Sequence, residues 1–206
     1  MKLSFFFCLC VILFVCLSCS TTDTIRFDLY FHNTQIRDRT LFFIQEANES
    51  LDLCVYDIDD PEVLGLLAEK VSQGIRVRIV TEADNLAGLR SISREVEIIS
   101  DDGRGLMHCK YMIADGRKVW GGSTNLTTTS LDNHYNDIFI VSEPHLVRRF
   151  RDHFEHGANG LFKGDRPSAK EKHSVYFSPE DQPFDALMSV LSSAKKEVLI
   201  GIYAFS

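Results

Sequence analysis

Positive charge is scarce: 22 Lys and Arg stand against 29 Asp and Glu, for a formal charge of −7 and a pI near 5.5. That balance argues against a basic nucleic-acid binder, so any phosphate chemistry has to rest on a local positive site. Cysteine is short where a small fold would use it. Of six, Cys8, Cys10, Cys16 and Cys19 fall in the first twenty residues, leaving Cys54 and Cys109 for the body. A disulfide framework is excluded, and both remaining cysteines sit in apolar, strand-like runs that read as buried thiols rather than a bridge or a metal site. No group of ligands has zinc or calcium spacing: His153 and His156 lie three apart with no evident third partner and read as solvated helix residues. The expectation is therefore no metal and no cofactor. Disorder is excluded as the main state, because 45% hydrophobic and 25% charged residues over 206 positions suffice for one core.

One long apolar run is present, Phe5 to Val15, preceded by Lys2 and followed by Ser18-Cys19-Ser20-Thr21-Thr22-Asp23. A retained span needs about 20 apolar residues and basic flanks. Residues 1–19 therefore read as a signal peptide, and export from a bacterial cell is expected. Leu17-Ser18-Cys19 resembles a lipoprotein signal, with Cys16 where Leu or Val is usual. Lipidation of Cys19, with membrane contact through the anchor, and ordinary cleavage both stay open, leaving the protein lipid-anchored or secreted.

The body contains an internal repeat. An offset of 147 positions sets Tyr30 on Phe177, Leu41 on Met188, Ile44 on Leu191, Leu51 on Val198, Val55 on Ile202 and Tyr56 on Tyr203. The unit reads as strand, amphipathic helix, strand. After Tyr56 the spacing predicts a helix over 61–73, started by Pro61 and stopped by Gly74, and a strand from Ile75 to Val80. Further strands are predicted near 96–100, 107–113, 117–122 and 137–142, a helix from Pro144 to about His156, and a second-copy strand over 197–203. Strands alternating with helices give an α/β fold, a mixed β-sheet flanked by helices on both faces. The divisions are a domain over 24–156, a linker over 157–173 rich in Gly, Pro, Ser and mixed charge, and the start of a second repeat over 174–206.

Chemistry concentrates between His108 and Asn125. His108 and Lys110 are two apart in a strand-like run and leave the same face. Gly121-Gly122 lets a second strand bring Ser123 and Asn125 near that face. Four such groups suit a phosphodiester: Lys110 supplies fixed charge, Ser123 and Asn125 donate to non-bridging oxygens, and His108 is available as a nucleophile near neutral pH. Each residue alone is unremarkable. Together, His-x-Lys, four residues, Asp115, six residues and Gly-Ser-x-Asn fix six residue types at set spacing.

This stretch resembles the HKD motif of the phospholipase D superfamily, and the repeat unit and the region from Asn133 to Glu155 extend the resemblance over nearly the whole chain after the leader. The resemblance implies a phosphohistidine on His108, phosphate held by Lys110 and Asn125, and a structural role for Asp115. It makes Asn136, with Asp137 next, the candidate for orienting His108. The implied activity is hydrolysis of phospholipid head groups, with a metal-independent nuclease or an inactive surface protein of the same fold as alternatives; the acidic charge makes nucleic acid the less favoured partner. The family's site uses two motif copies and this sequence contains one. The resemblance thus implies either a truncated two-lobed enzyme or a homodimer in which each copy contributes His108. Tyr135, Trp120 and His134 are expected near the rim of the site.

Overall fold

The computed structural model describes residues 27–201, except 93, 102, 104, 161, 163–174, 179, 180 and 182. The leader and Cys19 lie outside the described residues, as does most of the linker.

Seven strands form one mixed sheet in the order β1-β7-β6-β5-β2-β3-β4. These are β1 (Phe27–Tyr30), β2 (Ser50–Val55), β3 (Arg76–Glu82), β4 (Glu97–Asp101), β5 (Lys110–Ala114), β6 (Lys118–Gly122) and β7 (Ile138–Val141). Strands β2, β3 and β4 run parallel, and β5, β6, β7 and β1 add antiparallel to the other side of β2. The central strands are apolar runs because helices cover both faces. Helices α1 (Asn33–Gln45), α2 (Pro61–Ser72) and α3 (Thr128–Asp132) contribute Ile36, Phe43, Ile44, Val63, Leu67 and Leu131 to one core layer. Helix α4 (Pro144–Ala158) covers the other face with Leu146, Val147, Phe150 and Phe154. The sheet flanked on both faces is thus the architecture of this chain.

Local signals place the ends of these elements. Asp60 caps α2 by accepting from the N–H groups of Glu62 and Val63, Pro61 fills the first turn where no N–H is needed, and Gly74 takes φ +80° just beyond the last turn. Asp60 also accepts from Arg37, which reaches Asp132 as well and so ties α1, α2 and α3 together.

Three expectations are corrected. Residues 197–201 form no strand; Val198, Leu199 and Ile200 are exposed, and so is the apolar side of α5 (Pro183–Ser193) in Phe184, Leu187 and Val190. The second-copy sequence has the pattern of a strand, but a strand needs a neighbour for its ladder, and none of the described residues supplies one. Phe177 and Asp181 pack instead on α4: Phe177 stacks on His153 at 3.7 Å between ring centres, and Asp181 pairs with Arg149. His153, expected in solvent, is 6% exposed and bonded to the Tyr111 hydroxyl, because position 153 shares the buried stripe of α4 with Leu146, Phe150 and Phe154. Trp120, expected at the rim, is fully buried in β6 between Met112 and Ile140.

Candidate active site

The site lies where β2 and β5 reach the same edge of the sheet. β5 begins at Lys110, so His108 sits in the segment leading into it and not in the strand itself. That segment is fixed from two sides: Met107 N–H donates to the buried Glu82 carboxylate at 2.8 Å, and Tyr56 N–H donates to Cys109 O at 2.8 Å. The His108 ring packs edge-on against Tyr56, 4.9 Å between centres, and makes no hydrogen bond among the described residues. Burial lowers its pKa, and the neighbouring Lys110 charge lowers it further, so the imidazole is neutral and nucleophilic near pH 7.

Lys110 donates to His108 O at 3.0 Å and lies over the Tyr56 ring, 5.2 Å from its centre. Burial brings its pKa down to about 8. A cation so weakly compensated gains most from a bound anion.

Asn125 arrives by another route. Leu126 N–H donates to Asp57 O and Ser130 Oγ accepts from Asn125 N–H, so the loop after β6 is sewn to the exit of β2 and to α3. The Asn125 side-chain carbonyl oxygen is closed off from solvent and has no partner among the described residues, a cost of about 1–3 kcal/mol.

Gly122 has a different reason from the one expected. A Cβ there would stand 2.2 Å from Asp137 O, so the glycine lets the start of β7 close in, and Ser123 N–H then donates to Asp137 O at 3.1 Å. Ser123 Oγ accepts from Asp137 N–H at 2.9 Å and lies 2.8 Å from Asp137 Oδ1 and 3.1 Å from Asn136 Oδ1. Asn136 donates to Ser130 O and Oγ. Neither Asn136 nor Asp137 hydrogen-bonds His108 among the described residues; they bond to Ser123 and Ser130. Tyr135 is fully exposed and His134 is exposed.

Asp115 is far from this edge, at the other end of β5. It takes φ +54° in the turn to β6 and accepts from the N–H groups of Asn48, Glu49 and Ser50 at 2.7–3.2 Å. Burial pushes its carboxyl up, but these bonds outweigh burial and hold it below the ordinary carboxylate range.

Sequence reading missed Tyr56 and Asp57 as parts of the site. Asp57 is half-buried, its carboxyl raised by burial and by Asp59, with Lys110 opposing. The signal was present: an acidic stretch, Asp57-Ile58-Asp59-Asp60, at the carboxyl end of a buried strand, where open α/β sheets place ligands.

Lys110 and Gly122 also line a cavity of about 440 Å³ whose walls include Phe27, Tyr111, Phe139 and Phe177.

A family model described as "Cardiolipin synthase, PLD-like domain" matches residues 41–157. Human mitochondrial cardiolipin hydrolase is 33% identical over 131 residues, covering 60% of this chain and 51% of that protein. A phospholipase D of Rickettsia conorii is 26% identical over 112 residues, covering 52% and 56%. The chain spans about half the length of these curated relatives. Among solved structures, a phospholipase D family member, Nuc, from Salmonella typhimurium shares the fold with a TM-score of 0.62 at 20% identity, covering 66% of this chain and 96% of that one.

Proposed function

The chain belongs to the phospholipase D superfamily, and on that footing we propose that it is a phosphodiesterase that hydrolyses phospholipids through a phosphohistidine on His108. The observation that carries the reading is an imidazole without hydrogen-bond partners among the described residues, beside a lysine that reaches one carbonyl and one aromatic face. Lys110 and Asn125 hold the non-bridging oxygens while a His108 nitrogen attacks phosphorus and the bond to the leaving alcohol breaks. The alcohol oxygen takes a proton from His108 of a second copy, which enters as the imidazolium, the bound phosphate's negative charge holding its proton. Water then attacks the phosphohistidine, gives its proton to that second imidazole, and releases the phosphomonoester with His108 restored. On this reading the second histidine is His108 of a second copy, in a twofold homodimer. No metal enters the reaction.

The apolar cavity beside Lys110 and the acidic net charge favour a lipid over a nucleic acid. The relatives named as cardiolipin hydrolases make cardiolipin the first substrate to try. We read the leader as directing export, with Cys19 as the candidate lipid anchor.

The test is a brief assay in EDTA on cardiolipin vesicles, phosphatidylcholine vesicles and plasmid DNA, across a dilution series followed by sedimentation. Release of phosphatidic acid or phosphatidylglycerol by the dimer, with a phosphohistidine trapped on His108, is expected. Cleavage of DNA alone overturns the lipid reading, and full specific activity in monomeric protein overturns the shared site.

A further inference from the structure

Cys54, Cys109 and His153 come from β2, from the segment entering β5 and from α4, and sequence spacing gives no hint that they meet. In the fold their ligand atoms all lie within 4.8 Å of one another. Both cysteines are free thiols. Cys54 is fully buried, His153 nearly so, and Cys109 is partly open. The Met107 sulfur is 3.9 Å from that of Cys54, and the Tyr111 hydroxyl is 2.7 Å from His153 Nδ1.

We propose that these three side chains form a zinc site on the face of the sheet opposite α1 and α2, behind the active-site histidine. Two thiolates and an imidazole are common zinc donors, and ligand atoms around a tetrahedral zinc stand about 3.7 Å apart, so a contraction of about 1 Å closes the site. Charge selects the ion: two thiolates and a divalent cation sum to zero, as a site walled by Phe150, Phe162 and Phe177 requires, whereas a monovalent soft cation leaves a buried net negative charge. With Nε2 as the ligand atom, the Tyr111 hydroxyl on His153 Nδ1 is the kind of outer contact that fixes the ring of a metal-bound histidine. An entry path exists, since Cys109, Tyr111 and Phe177 line the 440 Å³ cavity. Because Cys109 adjoins His108, the ion would pin the backbone of the nucleophile without approaching the reacting phosphate.

The test uses the full chain purified under reducing conditions and stripped by prolonged dialysis against a chelator. It is titrated with Zn²⁺ against a chromophoric competitor, and separately with Co²⁺. One zinc per chain, a raised unfolding temperature on loading, and a near-ultraviolet thiolate-to-cobalt band are expected. Cys109→Ser, at the partly open position, and His153→Gln should each weaken zinc binding at least tenfold and diminish the band, with circular dichroism reporting on the fold of each variant. Zinc held no more tightly by wild type than by folded Cys109→Ser overturns the site. So does a Cys54–Cys109 disulfide in freshly purified protein, or a site that takes Cu⁺ but no Zn²⁺. None of these readouts involves substrate, so the zinc site and the proposed phosphodiesterase can fail independently.

Discussion

The two ends of β5 carry residues of one sequence motif and treat them in opposite ways. At the Lys110 end, the His108 ring has no hydrogen-bond partner among the described residues and the ammonium reaches one carbonyl and one aromatic face. About 17 Å away along the strand, Asp115 satisfies the N–H groups of three consecutive residues and holds a left-handed backbone conformation. One end leaves its polar groups with few partners among the described residues, and the other spends its own on the fold. A five-residue strand joins them rigidly, so the motif's spacing reflects the length of β5 as well as the chemistry. Substitutions should therefore separate activity from stability according to the end they strike.

The largest effect is expected at His108. His108→Ala removes the covalent route and should lower turnover about 10³-fold or more. It breaks no hydrogen bond among the described residues, so unfolding free energy should stay within about 0.5 kcal/mol of wild type. Urea unfolding beside a lipid assay checks both parts; wild-type turnover, or a large stability loss, would erase the contrast.

Next is Asp115→Ala, with the reverse signature. Three backbone donors lose a charged acceptor and alanine must adopt φ +54°, together about 2 kcal/mol after allowance for solvent access. Turnover per folded molecule should be unchanged. Asp115→Gly divides the cost, since glycine loses the hydrogen bonds but accepts the conformation, and should be the more stable of the two variants by about 1 kcal/mol. Equal stabilities would remove backbone strain from the account.

Acid sharpens the same contrast. The Asp115 carboxyl is depressed in the folded state, so between its folded value and the ordinary value near 4 the unfolded chain binds more protons. Stability from this group is complete above about pH 4 and is lost as pH falls through the depressed value. Wild type should thus exceed Asp115→Asn in stability at pH 6, with the gap closing on acidification. A gap independent of pH would mean that charge contributes nothing there.

How much of this was legible in the sequence follows from where each signal lives. Helix α2 announced itself through Asp60, Pro61 and Gly74, because caps are local. Trp120 could not be assigned a face: Val119-Trp120-Gly121 is apolar throughout, and a strand buried on both sides shows no alternation. The burial of His153 is legible in the sequence, since it falls on the apolar stripe of Leu146, Phe150 and Phe154 at helical spacing. The contacts of Glu82 with Met107 and of Tyr56 with Cys109 join segments more than twenty residues apart, and no local pattern encodes them.

Ser123 gives the smallest effect and the finest test, because it belongs to the open end yet is employed like Asp115. Its oxygen accepts from Asp137 N–H, and its single proton is already directed to Asp137 Oδ1 or Asn136 Oδ1. A donor aimed at the phosphate in the transition state is worth about 10²–10³ in turnover. A hydroxyl committed to holding Asn136 and Asp137 should instead cost about tenfold or less when removed, with about 1 kcal/mol of stability lost alongside. Ser123→Ala should therefore lower both quantities modestly, whereas a hundredfold fall in turnover at unchanged stability would mean that the hydroxyl turns to the phosphate and belongs with His108 and Lys110. Measuring kcat and the urea midpoint on the same preparation decides between them, and Ser123→Thr, which keeps the hydroxyl, should recover most of either loss.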